Sequence, residues 1–477
     1  MLHISDIKKF IHCPRLYYYD LDANNEFNQY LRNDLSINDL LIEYFHIDSY
    51  YLGERNDLSD RFINNINNYE WFIRPRLNDG ELRINIPLVK RNNNEFDLYF
   101  INYGTSIKEL DTLAYSIYLQ IFTKYQLNVN DIYIIYLNGE YVNQGTLDVS
   151  KLFLITDTFH DEKIIDKVIE KKFDYKEIVD EILNNNLNNY PAIKNRYCRL
   201  FGECSHYDLC FENEKQDCLD SILYLASSQN KVKMYEDGIR HLKDADLNLI
   251  EGNRVQYAQI MASRNNGLFV DKYALKKFLK PLNERPISFI DFEWDRYLIP
   301  EYKGMKPMDV VCFEFALYVL DENDELKHYT FVETKDCREK FVEELIKCLP
   351  SEGPILAYNA LGAECLRLQE LADLFPQYKE QLYSIVSRFY DLATPFIDGI
   401  VYDIKMAGNF TLKKLVDICS DYSYSNLDIY DGMQAVYNWR NLDKGQINEK
   451  TLSDLKEYCS LDAYGLYLVY NWLLSLL

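Results

Sequence analysis

The sequence predicts an α/β protein built as two or three domains. Runs rich in β-branched and aromatic residues, such as Ile287–Phe292, Pro354–Asn359 and Val129–Leu137, read as buried strands. Between them lie stretches with apolar residues at helical spacing, among them Leu110–Tyr125 and Leu455–Leu477. A chain of 477 residues that is 48% apolar has ample material for separate cores.

Taken in order, Gly80–Lys90 and Glu95–Asn102 form a strand pair joined by the polar turn Arg91–Asn94. A helix over Leu110–Tyr125 follows, then the strand Val129–Leu137. Asn138-Gly139 is a hairpin signal, with Tyr141-Val142 continuing on the far side. Residues 145–171 lead into an acidic helical stretch, Tyr175–Leu187. From about Leu219 to Arg285 the pattern is mostly helical, and Pro281 stops the run Lys276–Lys280. Its basic residues (Lys231, Lys233, Arg240, Lys243, Arg254, Arg264) read as a solvated face, with nucleic acid as the alternative partner.

The strand Ile287–Glu293 ends in two carboxylates one residue apart. Alternation puts Asp291 and Glu293 on one face, about 7 Å apart along the strand. Two like charges there either reach solvent at a strand end or share a divalent cation. Tyr458 and Asp462, four apart on the last helix, share one helical face. Between these segments, Asn359 ends a strand, and Glu364 opens a helical stretch running to Leu374. Asp391, in the strand-like Phe389–Leu392, sits in a turn or orients its neighbours. In Gly408–Lys414, a loop feeding a helix, Gly408, Asn409 and Thr411 either expose amides to a phosphate or Thr411 caps the helix.

A pair of divalent metal ions would explain why such acids converge. Two metal ions about 4 Å apart activate a water and offset charge on the leaving oxygen. Hard cations such as Mg²⁺ or Mn²⁺ take oxygen ligands, so several carboxylates must meet.

With 75 acidic against 52 basic residues, the net charge is −23. That argues against broad duplex binding through many phosphate contacts. A protein partner, or a single-stranded end met through bound metals, fits better. No run reaches the roughly 20 apolar residues of a membrane span. Met1–Asp6 lacks a signal-peptide layout, so a cytoplasmic protein is expected. The 41 tyrosines, like the abundant Asn, Ile and Lys, are read as a nucleotide-composition effect, not a stacking surface.

Of 11 cysteines, Cys198, Cys204 and Cys210 form C-x5-C-x5-C, and Cys13 lies far upstream. In a cytosolic chain this suggests a metal over disulfides. Cys218 is a spare ligand and His206 a further one; unligated buried thiols are the alternative. The remaining cysteines (Cys312, Cys337, Cys348, Cys365, Cys419, Cys459) read as packing residues.

The C-terminal motifs Asp291-Phe292-Glu293, Ala357-Tyr358-Asn359, Arg388–Leu392, Gly408–Lys414 and Tyr458–Asp462 resemble the DEDD exonucleases of the RNase H-like superfamily, in the subgroup with a tyrosine in its last motif. The resemblance implies that Asp291, Glu293, Glu364 and Asp462 hold two Mg²⁺ or Mn²⁺. It implies that Tyr458 positions the attacking water and that Asn359 and Asp391 support the site. Glu364 stands where the wider superfamily commonly has Asp.

One cysteine near the N-terminus and three near a domain's end resemble the iron–sulfur staple of RecB-like and CRISPR-associated nucleases. That implies a [4Fe–4S] cluster on Cys13, Cys198, Cys204 and Cys210, with Zn²⁺ as the alternative. Lined up with the RecB-like PD-(D/E)xK pattern, Asn85, Phe100 and Asn102 stand where Asp, Glu and Lys would be. The implied N-terminal domain is therefore degenerate, a scaffold or substrate clamp. Glu95 or Asp97 would be its ligands in a shifted register.

The whole chain resembles a bacterial family that fuses these two parts. The implied layout is a RecB-like domain over 1–218, a helical connector over 219–285 and an RNase H-like exonuclease domain over 286–477. The implied function is a metal-dependent 3′–5′ exonuclease on DNA or RNA. The alternative is a non-catalytic subunit that binds nucleic acid or protein in a larger complex.

Overall fold

The computed structural model describes residues 1–21, 31–171, 173–193, 198, 204–211, 219–250, 252–422, 424, 427–445 and 448–477. These fall into two units, residues 1–192 with 296–309, and residues 193–295 with 310–477. Both mix helices with strands.

The first unit contains β1 (Tyr50–Leu52), β2 (Trp71–Ile73), β3 (Arg76–Asp79), β4 (Leu82–Asn85), β5 (Leu88–Asn92), β6 (Glu95–Asn102), β7 (Asn128–Leu137) and β8 (Phe153–Thr156). Six of these form a mixed sheet in the order β1-β2-β5-β6-β7-β8, while β3 and β4 pair as a separate hairpin. A short ribbon joins β9 (Thr158–Phe159) to β10 (Glu162–Lys163). The parallel pair β6/β7 requires a crossover, supplied by the helix Thr112–Lys124, whose N-terminus Asp111 caps. Alternation along β6 divides its side chains between two cores. Leu98 and Phe100 join Ile117, Ile121 and Phe122 of the crossover helix. Tyr99 joins Leu40 and Leu41 of the helix Ile37–Tyr44, together with Leu298 and Ile299.

Two details differ from the sequence reading. The run Gly80–Lys90 is not one strand: it breaks at Ile86-Pro87 into β4 and β5, which belong to different sheets. Proline lacks the amide a ladder needs and restricts the residue before it. Nor does Tyr141-Val142 return along β7, because β8 pairs there instead, with Leu137 opposite Phe153. Asn138 folds the chain locally, accepting from the Glu140 amide at 3.1 Å. Asn143 is drawn off to the segment 296–309, bonding the backbone of Met305 and Gly304.

In the second unit lie β11 (Leu268–Val270), β12 (Ile287–Arg296), β13 (Val310–Leu320), β14 (Leu326–Val332), β15 (Ile355–Ala357), β16 (Phe389–Asp391) and β17 (Val401–Asp403). Five form a sheet in the order β14-β13-β12-β15-β16, antiparallel at β13/β14 and parallel across β12, β15 and β16. The expected helical connector has the helices Lys231–Glu236, Arg254–Arg264 and Lys272–Leu279, and a 3-10 turn at Pro281. It also contributes β11, which pairs antiparallel with β17.

Strand β12 sits at the centre of this sheet, covered on both faces, which is why its start reads as unbroken apolar sequence. Phe292 meets Phe341 of the helix Arg338–Cys348 at 5.0 Å between ring centroids. Phe289, one face over, meets Tyr470 of the long helix Glu449–Ser475 at 5.6 Å. Cys459 and Ala463 of that helix pack on Ala316 of β13. Fully buried Asp295 accepts from Arg440 Nη2 at 2.6 Å and Nε at 2.9 Å, tying the helix Gly432–Asp443 to β12. Among the described residues, no helix is long and apolar enough to cross a membrane.

Candidate metal centre

Asp291 and Glu293 leave β12 on the same face as Phe289, the face covered by the helix Glu449–Ser475. That helix carries Tyr458 and Asp462 one turn apart, both buried against the sheet. Strand period and helix period therefore bring three acids together. Oxygens of Asp291, Glu293 and Asp462 all lie within 4.8 Å of one another.

Glu364 approaches along a third element. After β15 the chain turns at Asn359 (φ 57°) and enters the helix Glu364–Leu374. Asp391, at the end of β16, holds this turn by accepting from the amides of Asn359 and Ala393, each at 2.9 Å. Its carboxylate is thus spent on orienting the loop. Glu364 is 2% exposed, and the backbone amides of Glu364 itself and Phe292 favour its charged form, while its Oε2 is buried with no partner among the described residues. Glu364 is outside the trio that meets at 4.8 Å, but its charge acts on both Asp291 and Glu293.

Electrostatically the cluster is strained. Burial pushes the Asp291 carboxyl well above the carboxylate range, and the charges of Asp462, Glu293 and Glu364 push it further. Glu293 is raised by burial and by Asp462 and Glu314. Glu364 is pushed up to about 8, chiefly by burial. Against four carboxyl groups, Lys413 favours the charged forms of Glu293 and Asp462. An oxygen-only donor set with excess buried negative charge fits a hard divalent cation.

Several contributors were not singled out by sequence. The Tyr424 hydroxyl donates to Asp462 Oδ1 at 2.7 Å, and Tyr458 also favours the charged form of Asp462. Lys413 Nζ lies 4.8 Å from the Tyr458 ring centroid and 5.0 Å from that of Tyr424. The Cys459 thiol, read as packing, lies 3.6 Å from Asp291 Oδ2. Lys413 and Cys459 had a sequence signal, their places in the quoted Gly408–Lys414 and Tyr458–Asp462 motifs. The amides of that loop are internally engaged: Gly408 on the Tyr402 hydroxyl, Asn409 on Met406 O and Thr411 on Asn409 Oδ1. Thr411 caps the helix Leu412–Cys419, the simpler of its two readings.

In the first unit, Phe100 is buried and stacks on Tyr115 at 4.4 Å, Asn102 bonds Ser106 O, and Asn85 ends β4 exposed. Asp97 is buried, accepting from the side-chain amides of Asn92 and Asn130, and Glu95 is exposed. Cys13 joins the helices Ile4–His12 and Pro14–Asp20. In the second unit, the Cys204 amide donates to Cys198 O at 3.0 Å, and Cys210 ends the short helix Tyr207–Cys210. Among the described residues, no trio of these cysteines meets the spacing that the three acids do. Cys218 lies outside the described residues.

A family model described as a domain of unknown function (DUF2779) matches residues 288–411, which include Asp291, Glu293 and Glu364. No curated protein matches the chain, and neither does any solved structure.

Proposed function

We propose that the second unit is a metal-dependent 3′–5′ exonuclease of the RNase H-like kind, acting on DNA or RNA, and that the RecB-like first unit has lost its own nuclease chemistry. The observation that carries this reading is the convergence of Asp291, Glu293 and Asp462, from one strand and one helix, to within 4.8 Å. The central place of β12 in the five-stranded sheet supports it further.

Asp291, Glu293 and Asp462 would hold divalent cations, with Glu364 completing the set from its own helix. When bound, such cations make a water nucleophilic near neutral pH and offset the charge of the leaving oxygen. Tyr424 fixes the rotamer of Asp462 through its 2.7 Å bond. Asp391 holds the turn that delivers Glu364. Tyr458, on Asp462 and under the Lys413 ammonium, is placed to orient a water or a phosphate oxygen.

The test is degradation of end-labelled single-stranded DNA and RNA with Mg²⁺ or Mn²⁺, comparing wild type with Asp291→Ala. A metal-dependent ladder that the substitution abolishes is expected. Absence of cleavage by wild type on both nucleic acids with both metals would overturn the reading.

A further inference from the structure

The first unit holds a concentration of positive charge that is out of keeping with a chain of net charge −23. A cavity of about 600 Å³ is lined by Arg55, Arg74, Arg76 and Arg83 together with His3 and Asn85. Three separate pieces of chain deliver the arginines. Arg55 follows β1, Arg74 and Arg76 flank the β2–β3 turn, and Arg83 lies on β4. The junction is tight: a Cβ on Gly53 would fall 2.0 Å from Arg74 O, so only glycine lets these segments meet. Arg74 is itself held at φ 50°.

Arg76 is 8% exposed, and burial, then the charges of Arg83, Arg74 and Arg55, depress its guanidinium pKa against the opposing pull of Asp57. Arg76 and Arg83 both donate to one backbone oxygen, Arg55 O. The Nε of each is buried with no partner among the described residues. Nearby acids are already engaged. Glu54, which lines the cavity, pairs with Arg61 at 3.0 Å. Asp57 accepts from Arg61, the Tyr51 hydroxyl and the Glu54 amide. Burying the Arg76 guanidinium beside three other arginines, with the already engaged Asp57 as counter-charge, is costly and brings no packing advantage that Leu or Met would not.

We propose that this cavity binds a phosphate group. A phosphate carries up to two negative charges and several acceptor oxygens, and guanidinium forks match it with paired, charge-assisted hydrogen bonds. The phosphate belongs either to a nucleic-acid strand or to a free ion. The inference concerns the first unit alone and does not rest on the metal centre.

The experiment titrates the full chain, in chelator, with inorganic phosphate. It then uses one short single-stranded oligonucleotide with and without a 5′-phosphate. Wild type is compared with Arg74→Gln, which is exposed, and with the half-buried Arg83→Gln. Each substitution is expected to weaken binding about tenfold, the worth of one charged hydrogen bond. Weakening seen with inorganic phosphate identifies a free-ion site. Weakening confined to the oligonucleotides, and strongest with the 5′-phosphate, identifies a strand-end site. Identical titrations for wild type and both variants, or no binding of any probe, would overturn the proposal.

Discussion

Asp291 sits beside three other carboxyl groups, and burial together with their charges raises its carboxyl well above the ordinary carboxylate range. A carboxyl whose pKa rises on folding takes up protons as the chain folds, so it removes stability as pH climbs past its unfolded value toward its folded one. For Glu364 that window runs from the ordinary 4.5 to about 8. In chelator, wild type is therefore expected to lose melting temperature between about pH 5 and about pH 8. Asp291→Asn removes one of the repelling charges. It should be more stable than wild type at the alkaline end, by roughly 1–3 kcal/mol, with a flatter pH profile. Mn²⁺ should raise the wild-type melting temperature and leave the variant nearly unmoved. Equal pH profiles would show that the four acids do not share a charged cluster. Asp291, Glu293, Asp462 and Tyr458 were legible because strand and helix periods alone decide which face each takes. Tyr424 was not legible. Its hold on Asp462 depends on how two distant segments pack, which leaves no local pattern.

At the scale of elements, β12 is held by contacts beyond its acid cluster. There, Asp295 and Arg440 form a two-pronged buried pair between strand and helix. Removing one partner of such a pair strands the other charge, so Arg440→Met should cost about 3–5 kcal/mol. The double substitution Asp295→Leu/Arg440→Met should recover most of that loss. Chemical denaturation of the three proteins checks this, and a double variant no more stable than the single one would refute it. The long periodic elements (β7, β12 and the helices Thr112–Lys124 and Glu449–Ser475) were readable from sequence. The misread ones were decided by single residues or by partners far along the chain: Pro87 split one strand, and residues 296–309 claimed the backbone that would have made a hairpin. The strand β11 was missed because three residues in an otherwise helical stretch carry no period of their own.

The molecule as a whole carries 75 acids against 52 bases, and that imbalance should be felt as self-repulsion in the folded state. Salt shortens the reach of such repulsion to about 10 Å near 0.1 M. With chelator present, the melting temperature should therefore climb as NaCl is raised. A steady fall would mean that local ion pairs, such as Lys163 with Asp131 and Asp157, outweigh the net charge. The division into units has a different consequence, one that concerns time. Residues 1–192 leave the ribosome first, yet one face of their sheet is finished by Leu298 and Ile299, and Arg32 bonds the backbone of Arg296 and Leu298. The first unit must wait half-built until all of residues 193–295 have been synthesised. A product stalled anywhere in that interval would display a bare apolar face to chaperones and proteases.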